Sequence, residues 1–477
     1  MRDSAAAVDA SPVGGSTRLD WLTWGIDALA RETMLFAAAG LLIGGVDDAL
    51  VDLCFLVQRM RREHRPTAMS GAPVPPPPSP ARLAVFVPAW DEARVIGAML
   101  SAALARLDHP DYRLYVGLYP NDPATIDAAA AVAERDPRVR LVIGSRDGPT
   151  TKADCLNTLW HALRRAEAGG ETPAAAVIVH DAEDVVHRAE LAVFDALLRD
   201  HDVVQLPVLP LVKRGSRLVS GHYADEFAEA HCKQIVVRTA LGAAMPLAGT
   251  GCAIRTEMLA RIARRRGGDP FDATSLTEDY ELGLRIAAMG GRGLFARVAD
   301  ADGPVAVRAY FPGTIPAAIR QKARWMTGIA LVGWDRTGWA AATAFGDHWM
   351  RMRDRRAPLA VLVLAVAYVA VLAWGLRALV HWAGGSPPPG DVLANWLLGT
   401  TTALLGWRLA MRIVFTWRCY DGWEACWSVP RFFIGNVVAL VAAPRALTRY
   451  VAMLRGAAPV WDKTHHDFPE LGPILRG

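Results

Sequence analysis

At 477 residues the chain has room for one large domain or two ordinary ones. Hydrophobic residues make up 52% and charged residues 21%, which is too apolar for a purely soluble protein and too charged for an all-membrane bundle. The net charge of +4, with no aromatic-studded basic stripe, argues against nucleic acid as a partner. The six cysteines are scattered without a CxxC pair, so zinc ribbons and thioredoxin-type motifs find no support and buried free thiols are expected.

In chain order, residues 1–32 read as a lead-in that starts disordered, rich in Ala, Ser, Gly and Asp. A membrane-crossing helix is expected over 33–58, within the apolar stretch Met34–Val57. Asp47 and Asp48 interrupt it, and a carboxylate at mid-bilayer costs roughly 2.5–3.5 kcal/mol. Either the span is shifted toward Trp21–Val46, leaving the aspartates near the interface, or, as preferred, they meet other helices. The cluster Arg59–Arg65 then marks a cytoplasmic flank. Residues 59–82 read as a basic, proline-rich linker, since GAPVPPPPSP at 71–80 cannot pack a core.

From Leu83 the texture alternates. Apolar runs such as LAVFVPAW and AAVIVHDAED are followed by segments of helical period, which predicts a mostly parallel sheet covered by helices over 83–313. In such sheets ligands gather outside the carboxyl ends of the strands. Residues 314–356 carry basic and aromatic residues at the spacing of interfacial helices. Residues 357–418 read as a transmembrane hairpin, turning at GGSPPPGD. Residues 419–477 read as an interfacial helix, Phe432–Ala443 being too short to span, followed by a WDKT segment.

Three signatures carry chemistry. HDAED ends a buried strand in Asp181, Glu183 and Asp184, whose mutual repulsion calls for a counter-charge. A divalent cation, Mg²⁺ or Mn²⁺, supplies one and bridges phosphates; a helix start enriched in acids is the competing reading. At 277–279 the TED tripeptide places Glu278 and Asp279 at a helix start, where Asp279 serves either as a first-turn acid or as a general base. Gln321, Arg324 and Trp325 fall within one helical turn. They unite an amide, a phosphate-binding guanidinium and an indole that suits a sugar ring or the bilayer edge.

Together these segments resemble the processive, membrane-bound branch of glycosyltransferase family 2. PAWDE resembles the family's PxxNE start, with Asp91 where Asn is usual and Glu92 after it; YPND supplies Asp122; GPTTKADCLN supplies Lys152 and Asn157. HDAED is similar to the DxD motif, with Glu183 in the second position, and TED and QxxRW match in full. GTGCAIR, with Gly249, Thr250 and Gly251, resembles the segment lining the acceptor path. Phrases such as GGVDDALVDL and WDKTHHDFP are similar to the phage-adsorption protein B subgroup of that family.

The resemblance implies an α/β GT-A domain with transmembrane and interfacial helices. Asp91, Glu92, Asp122, Lys152, Asn157 and Asp181 would hold a nucleotide-sugar donor, UDP-linked by expectation. Asp181, Glu183 or Asp184 would bind the metal, and Asp279 would deprotonate an acceptor hydroxyl. Gln321, Arg324, Trp325 and Gly249–Gly251 would serve acceptor and diphosphate, with Trp461, Lys463 and Thr464 as a gate. The implied setting is a bacterial inner membrane with the catalytic block in the cytosol. The implied partners are a growing glycan, the bilayer, and outer-membrane or export proteins. A catalytically idle scaffold and a non-processive enzyme acting on a lipid carrier are the alternatives.

Overall fold

The computed structural model describes residues 18–62, 79–385, 387, 390–457 and 466–469. The disorder expected before residue 18, most of the proline-rich linker, and Trp461, Lys463 and Thr464 lie outside the described residues. Contacts divide the chain into two units, 1–46 with 362–405 and 47–361 with 406–477.

The larger unit is built on a seven-stranded sheet. Its strands are β1 (Leu83–Pro88), β2 (Tyr112–Leu118), β3 (Val139–Ile143), β4 (Ala176–Val179), β5 (Val203–Gln205), β6 (Cys252–Arg255) and β7 (Gly293–Phe295), in the order β3-β2-β1-β4-β6-β5-β7. Pairing is parallel except at β6, which runs antiparallel to both neighbours.

β1 shows why the apolar runs are continuous. Leu83, Val85 and Val87 pack on one face with α2 (Ile96–Arg106), α3 (Pro123–Ala133) and α5 (Glu190–Leu197). Ala84 and Phe86 pack on the other with α4 (Lys152–Ala168), α7 (Ile235–Ala240), α8 (Thr256–Arg265) and α9 (Glu278–Ala288). Alternate side chains of a strand point to opposite faces, so a sheet covered twice needs apolar residues at every position.

Helix α6 (Val219–Glu229) continues through a widened turn, Ala230–Gln234, into α7. A two-stranded ribbon of β8 (Ala299–Asp300) and β9 (Gly303–Pro304) precedes α10 (Ile315–Trp325), which runs into a second widened turn, Met326–Val332. Then come α11 (Gly333–Thr337) and α12 (Phe345–Arg355).

Four long helices complete the chain: α1 (Arg18–Arg62), α13 (Ala357–Ala383), α14 (Val392–Cys419) and α15 (Gly422–Leu454). Within them Trp21–Arg61, Ala357–Ala383 and Gly422–Leu454 are long and apolar enough to cross a membrane.

α1 starts well before the expected residue 33, because residues 18–32 contain no proline and a lone Gly25 is tolerated inside it. α15 is one 33-residue helix rather than a short interfacial one; Pro430 and Pro444 lie inside it without ending it. Its Arg431 is fully buried, donating to the carbonyl of Arg217 at 2.9 Å and to Asp225 at 3.3 Å, and ion-paired with Glu424. The two aspartates of α1 do meet other helices. Asp47 accepts from Trp349 Nε1 at 2.6 Å and pairs with Arg353 and Arg356, while Asp48 pairs with Arg353, Arg356 and Arg408.

In the smaller unit Met34, Ala370 and Ala394 form a buried cluster. A Cβ on Gly40 would lie 2.6 Å from Val363, so only glycine allows that approach. Asp27 sits between Arg377 and His381, at 2.8 and 3.0 Å.

Candidate active site

The carboxyl ends of β1 and β4 open on one cavity of about 210 Å³, lined also by the starts of α4 and α9 and by α10.

One end is aromatic and polar. The Trp90 ring meets Tyr119 edge-on at 5.2 Å, and the Tyr119 hydroxyl is 2.7 Å from that of Thr150. Asn121 holds the backbone of Gly148 through both its donor and its acceptor, at 2.7 and 2.8 Å. Asp91 adopts φ +53°, and its N–H donates to Asp122 at 2.6 Å. Short Asn and Asp side chains both tolerate that left-handed backbone, so aspartate keeps the turn that asparagine makes in the resembled motif. Asp122 also caps α3 by accepting from the N–H of Thr125. Asn157 is buried and bonded in both directions to the backbone of Phe271. Asp91, Asp122, Asn157 and Gly251 stand outside the cavity lining; Glu92, Lys152, Asp181, Glu183, Asp184, Gly249, Thr250, Glu278, Asp279, Gln321, Arg324 and Trp325 line it.

The centre is charged. Lys152, in the first turn of α4, is ion-paired with Asp181 and donates to the carbonyl of Gly249 at 2.8 Å. Burial works against its charge, but Asp181 and Glu278 hold its pKa above the ordinary value. Asp184 points inward. It accepts from Thr250 and from the N–H of Asp181 at 2.8 Å, and lies 3.0 Å from buried His180, whose other nitrogen is 2.8 Å from Glu190. The His180 pair with Asp184 and Glu190 outweighs burial and lifts the imidazole to about 10.

Glu183 points toward the cavity, and burial pushes it up to about 8. Beside it stands His466, whose Nδ1 lies 2.8 Å from Glu92 and 3.3 Å from Glu183. Burial opposes its charge, yet the two glutamates raise it to about 9. Glu92, Glu183 and His466 offer ligand atoms within 4.8 Å of one another. Two carboxylates and an imidazole that close suit a divalent cation, which would relieve the crowding that burial makes costly. His466 lies in the WDKTHHDFP phrase, but spacing alone assigned it no role, because its partners Glu92 and Glu183 are hundreds of positions earlier in the chain.

The far end holds the TED and QxxRW side chains. Burial raises Glu278 to about 7, and burial raises Asp279 against the pull of Lys152. Gly249 faces Asp279: its φ is +79°, and a Cβ there would stand 2.6 Å from Asp279 Oδ2. Gln321 leaves its buried Oε1 without a hydrogen bond among the described residues. Trp325 packs in a ring cluster with Tyr223, Phe227 and Phe311, centroids 6.0–6.3 Å away.

The model of the family described as glycosyltransferase like family 2 matches residues 80–328, just over half of the chain. The chain belongs to that family. Its fold is GT-A. A mannosyltransferase from Pyrobaculum calidifontis, solved with GDP-mannose and Mn²⁺, superposes with a TM-score of 0.53 at 20% identity, covering 88% of this chain and 99% of that one. Bacteriophage adsorption protein B of Escherichia coli K12 and bacteriophage N4 adsorption protein B of E. coli O157:H7 are each 33% identical over 95% of this chain. The chain spans 64% of the length of these relatives. Within the family frame, the helices long enough to span a bilayer distinguish this chain from a transferase domain alone.

Proposed function

We propose that this glycosyltransferase moves a sugar from a nucleoside diphosphate donor, UDP-linked, to a hydroxyl of a growing glycan at a membrane surface, with inversion. One observation carries the reading. Asp279 shares a single cavity with the Lys152–Asp181 pair and with the Glu92–Glu183–His466 group.

In this reading Trp90 and Tyr119 flank the base, and Lys152 neutralises phosphate charge. Glu183 and His466, with Glu92 and the nearby Asp181, would hold Mg²⁺ or Mn²⁺, which would offset negative charge on the leaving diphosphate. Asp184 anchors the loop through His180 and Thr250. Asp279 takes the acceptor's hydroxyl proton as its oxygen attacks the anomeric carbon from the side opposite the diphosphate. Arg324 steadies the diphosphate, and Trp325 with its neighbouring rings supports the acceptor sugar.

The apolar helices suit a multi-pass protein of a bacterial inner membrane with this cavity on the cytosolic side, where nucleotide sugars are made. The relatives' name ties them to bacteriophage adsorption, in keeping with an exopolysaccharide product that reaches the cell surface with the help of export or outer-membrane partners.

The test is incorporation of label from a panel of UDP-sugars by membranes carrying the full chain, with and without EDTA, followed by mass analysis of product. Donor-dependent, EDTA-sensitive elongation is expected. Full transfer without divalent metal would remove the metal role, and no transfer from any nucleotide sugar would overturn the enzymatic reading.

A further inference from the structure

Cys232 lies in the widened turn between α6 and α7, and Cys419 is the last residue of α14. Their sulfurs are 2.9 Å apart across 187 positions of sequence. Both side chains are half-buried rather than sealed. The hydrogen bond to Cys419 lowers the pKa of the Cys232 thiol, with Arg297 and Arg418 acting in the same direction, while that bond and burial raise Cys419, so Cys232 is the sulfur that more readily gives the reactive thiolate. The remaining cysteines are not in such a pair: Cys155 and Cys252 are buried, Cys54 is half-buried and Cys426 is exposed.

The position matters because the sequence neighbours of both residues hold the segment 208–210, of which Val208 lines the cavity. His231, next to Cys232, accepts from the N–H of Val208 at 2.9 Å, and Val208 lines the cavity. Tyr420, next to Cys419, donates to the carbonyl of Pro210 at 2.8 Å. Phe227, one turn before Cys232, lines the cavity and packs against Trp325.

We propose that Cys232 and Cys419 are a reversible redox pair whose disulfide ties the end of α14 to the wall beside Trp325 and slows transfer. With a peroxide as oxidant, one thiolate attacks a peroxide oxygen, giving a sulfenic acid and releasing hydroxide, which takes up the proton that thiol lost. The second thiol then displaces water from the sulfenic sulfur. Two thiols lose two electrons and two protons, one peroxide accepts them, and two waters form. A dithiol reductant reverses the bond by exchange. In a reducing compartment such pairs serve as transient sensors rather than permanent staples.

The inference rests on the transferase reading only for its effect on rate, so two readouts keep them separate. The full chain in native membranes is treated with hydrogen peroxide, and free thiols are tagged with a maleimide before and after. Non-reducing peptide mass analysis is expected to find Cys232 joined to Cys419, in wild type and in C426S but not in C232S or C419S. Dithiothreitol should restore both thiols. Both cysteines remaining taggable when Cys426 is already oxidised would overturn the pair. In the second readout, peroxide should slow sugar transfer several-fold and reversibly in wild type, while C419S keeps its rate. A bond that forms without slowing transfer would overturn the regulatory role. Absence of any transferase activity would leave the thiol result standing.

Discussion

His466 Nδ1 lies 2.8 Å from Oε1 of Glu92, a residue 374 positions earlier in the chain. That contact, with Glu183 at 3.3 Å, brings an imidazole from residue 466 to the strand ends, where the proposed function makes it a metal ligand. His466→Ala should therefore weaken Mn²⁺ binding at least as much as the roughly 10–100-fold caused by losing an outer-shell partner. Mn²⁺ titration followed by electron paramagnetic resonance checks this, and unchanged affinity would remove His466 from the ligand set.

Asp279 faces the glycine loop at 249 and is held above its ordinary pKa by burial. Asp279→Asn keeps shape and hydrogen bonding but cannot accept a proton. Transfer should fall by about 10²–10⁴ while donor binding persists. Calorimetric titration with donor beside an initial-rate assay separates the two, and wild-type turnover would sink the assignment of the base.

His231 accepts from the backbone of Val208 and is depressed to about 3 by burial, well below the ordinary 6.5. The unfolded chain takes up a proton near 6.5 and the folded chain does not, so stability is fully present above that value and is lost as pH falls through the window toward 3. His222, lowered by burial to about 4, acts in the same direction. Glu183 and Glu278, raised by burial to about 8 and about 7, act in the opposite direction, so the linkage is read as a difference: in thermal unfolding in detergent from pH 7 to pH 5, the midpoint of wild type should fall relative to that of His231→Asn. An equal slope in the variant would contradict the linkage.

Arg353 serves both Asp47 and Asp48, but Arg356 and Trp349 also reach Asp47. Stripping a buried charge of its only partner costs about 3–5 kcal/mol. With partners remaining, Arg353→Ala should cost about 1–3 kcal/mol, the range for a buried group left partly unsatisfied. Chemical denaturation of wild type, R353A and the R353A/D47N double variant measures it. No loss in the single variant would mean that the pair contributes nothing.

The parts legible in the sequence were those with local pattern. The continuous run at 83–88 announced a strand buried on both faces, and HDAED announced crowded acids at a strand end. The antiparallel insertion of β6 was not legible, since its four residues look like any buried strand. α15 was misjudged because only its apolar middle, Phe432–Ala443, was counted as helix, whereas it runs 33 residues and accommodates Pro430 and Pro444 inside it. Which carboxylate faces the cavity was equally hidden. Asp184 is turned toward His180, in the same signature, and toward Thr250, a long-range partner that no local pattern announces.

The proposed cation group would join residue 92 to residue 466, with α1 encoded before them and α13, α14 and α15 between them. A ribosome that has finished the sheet but not the tail has therefore produced an incomplete ligand set. On the proposed reading, metal-dependent transfer would begin only once residue 466 has been synthesised, after α15, which ends at Leu454.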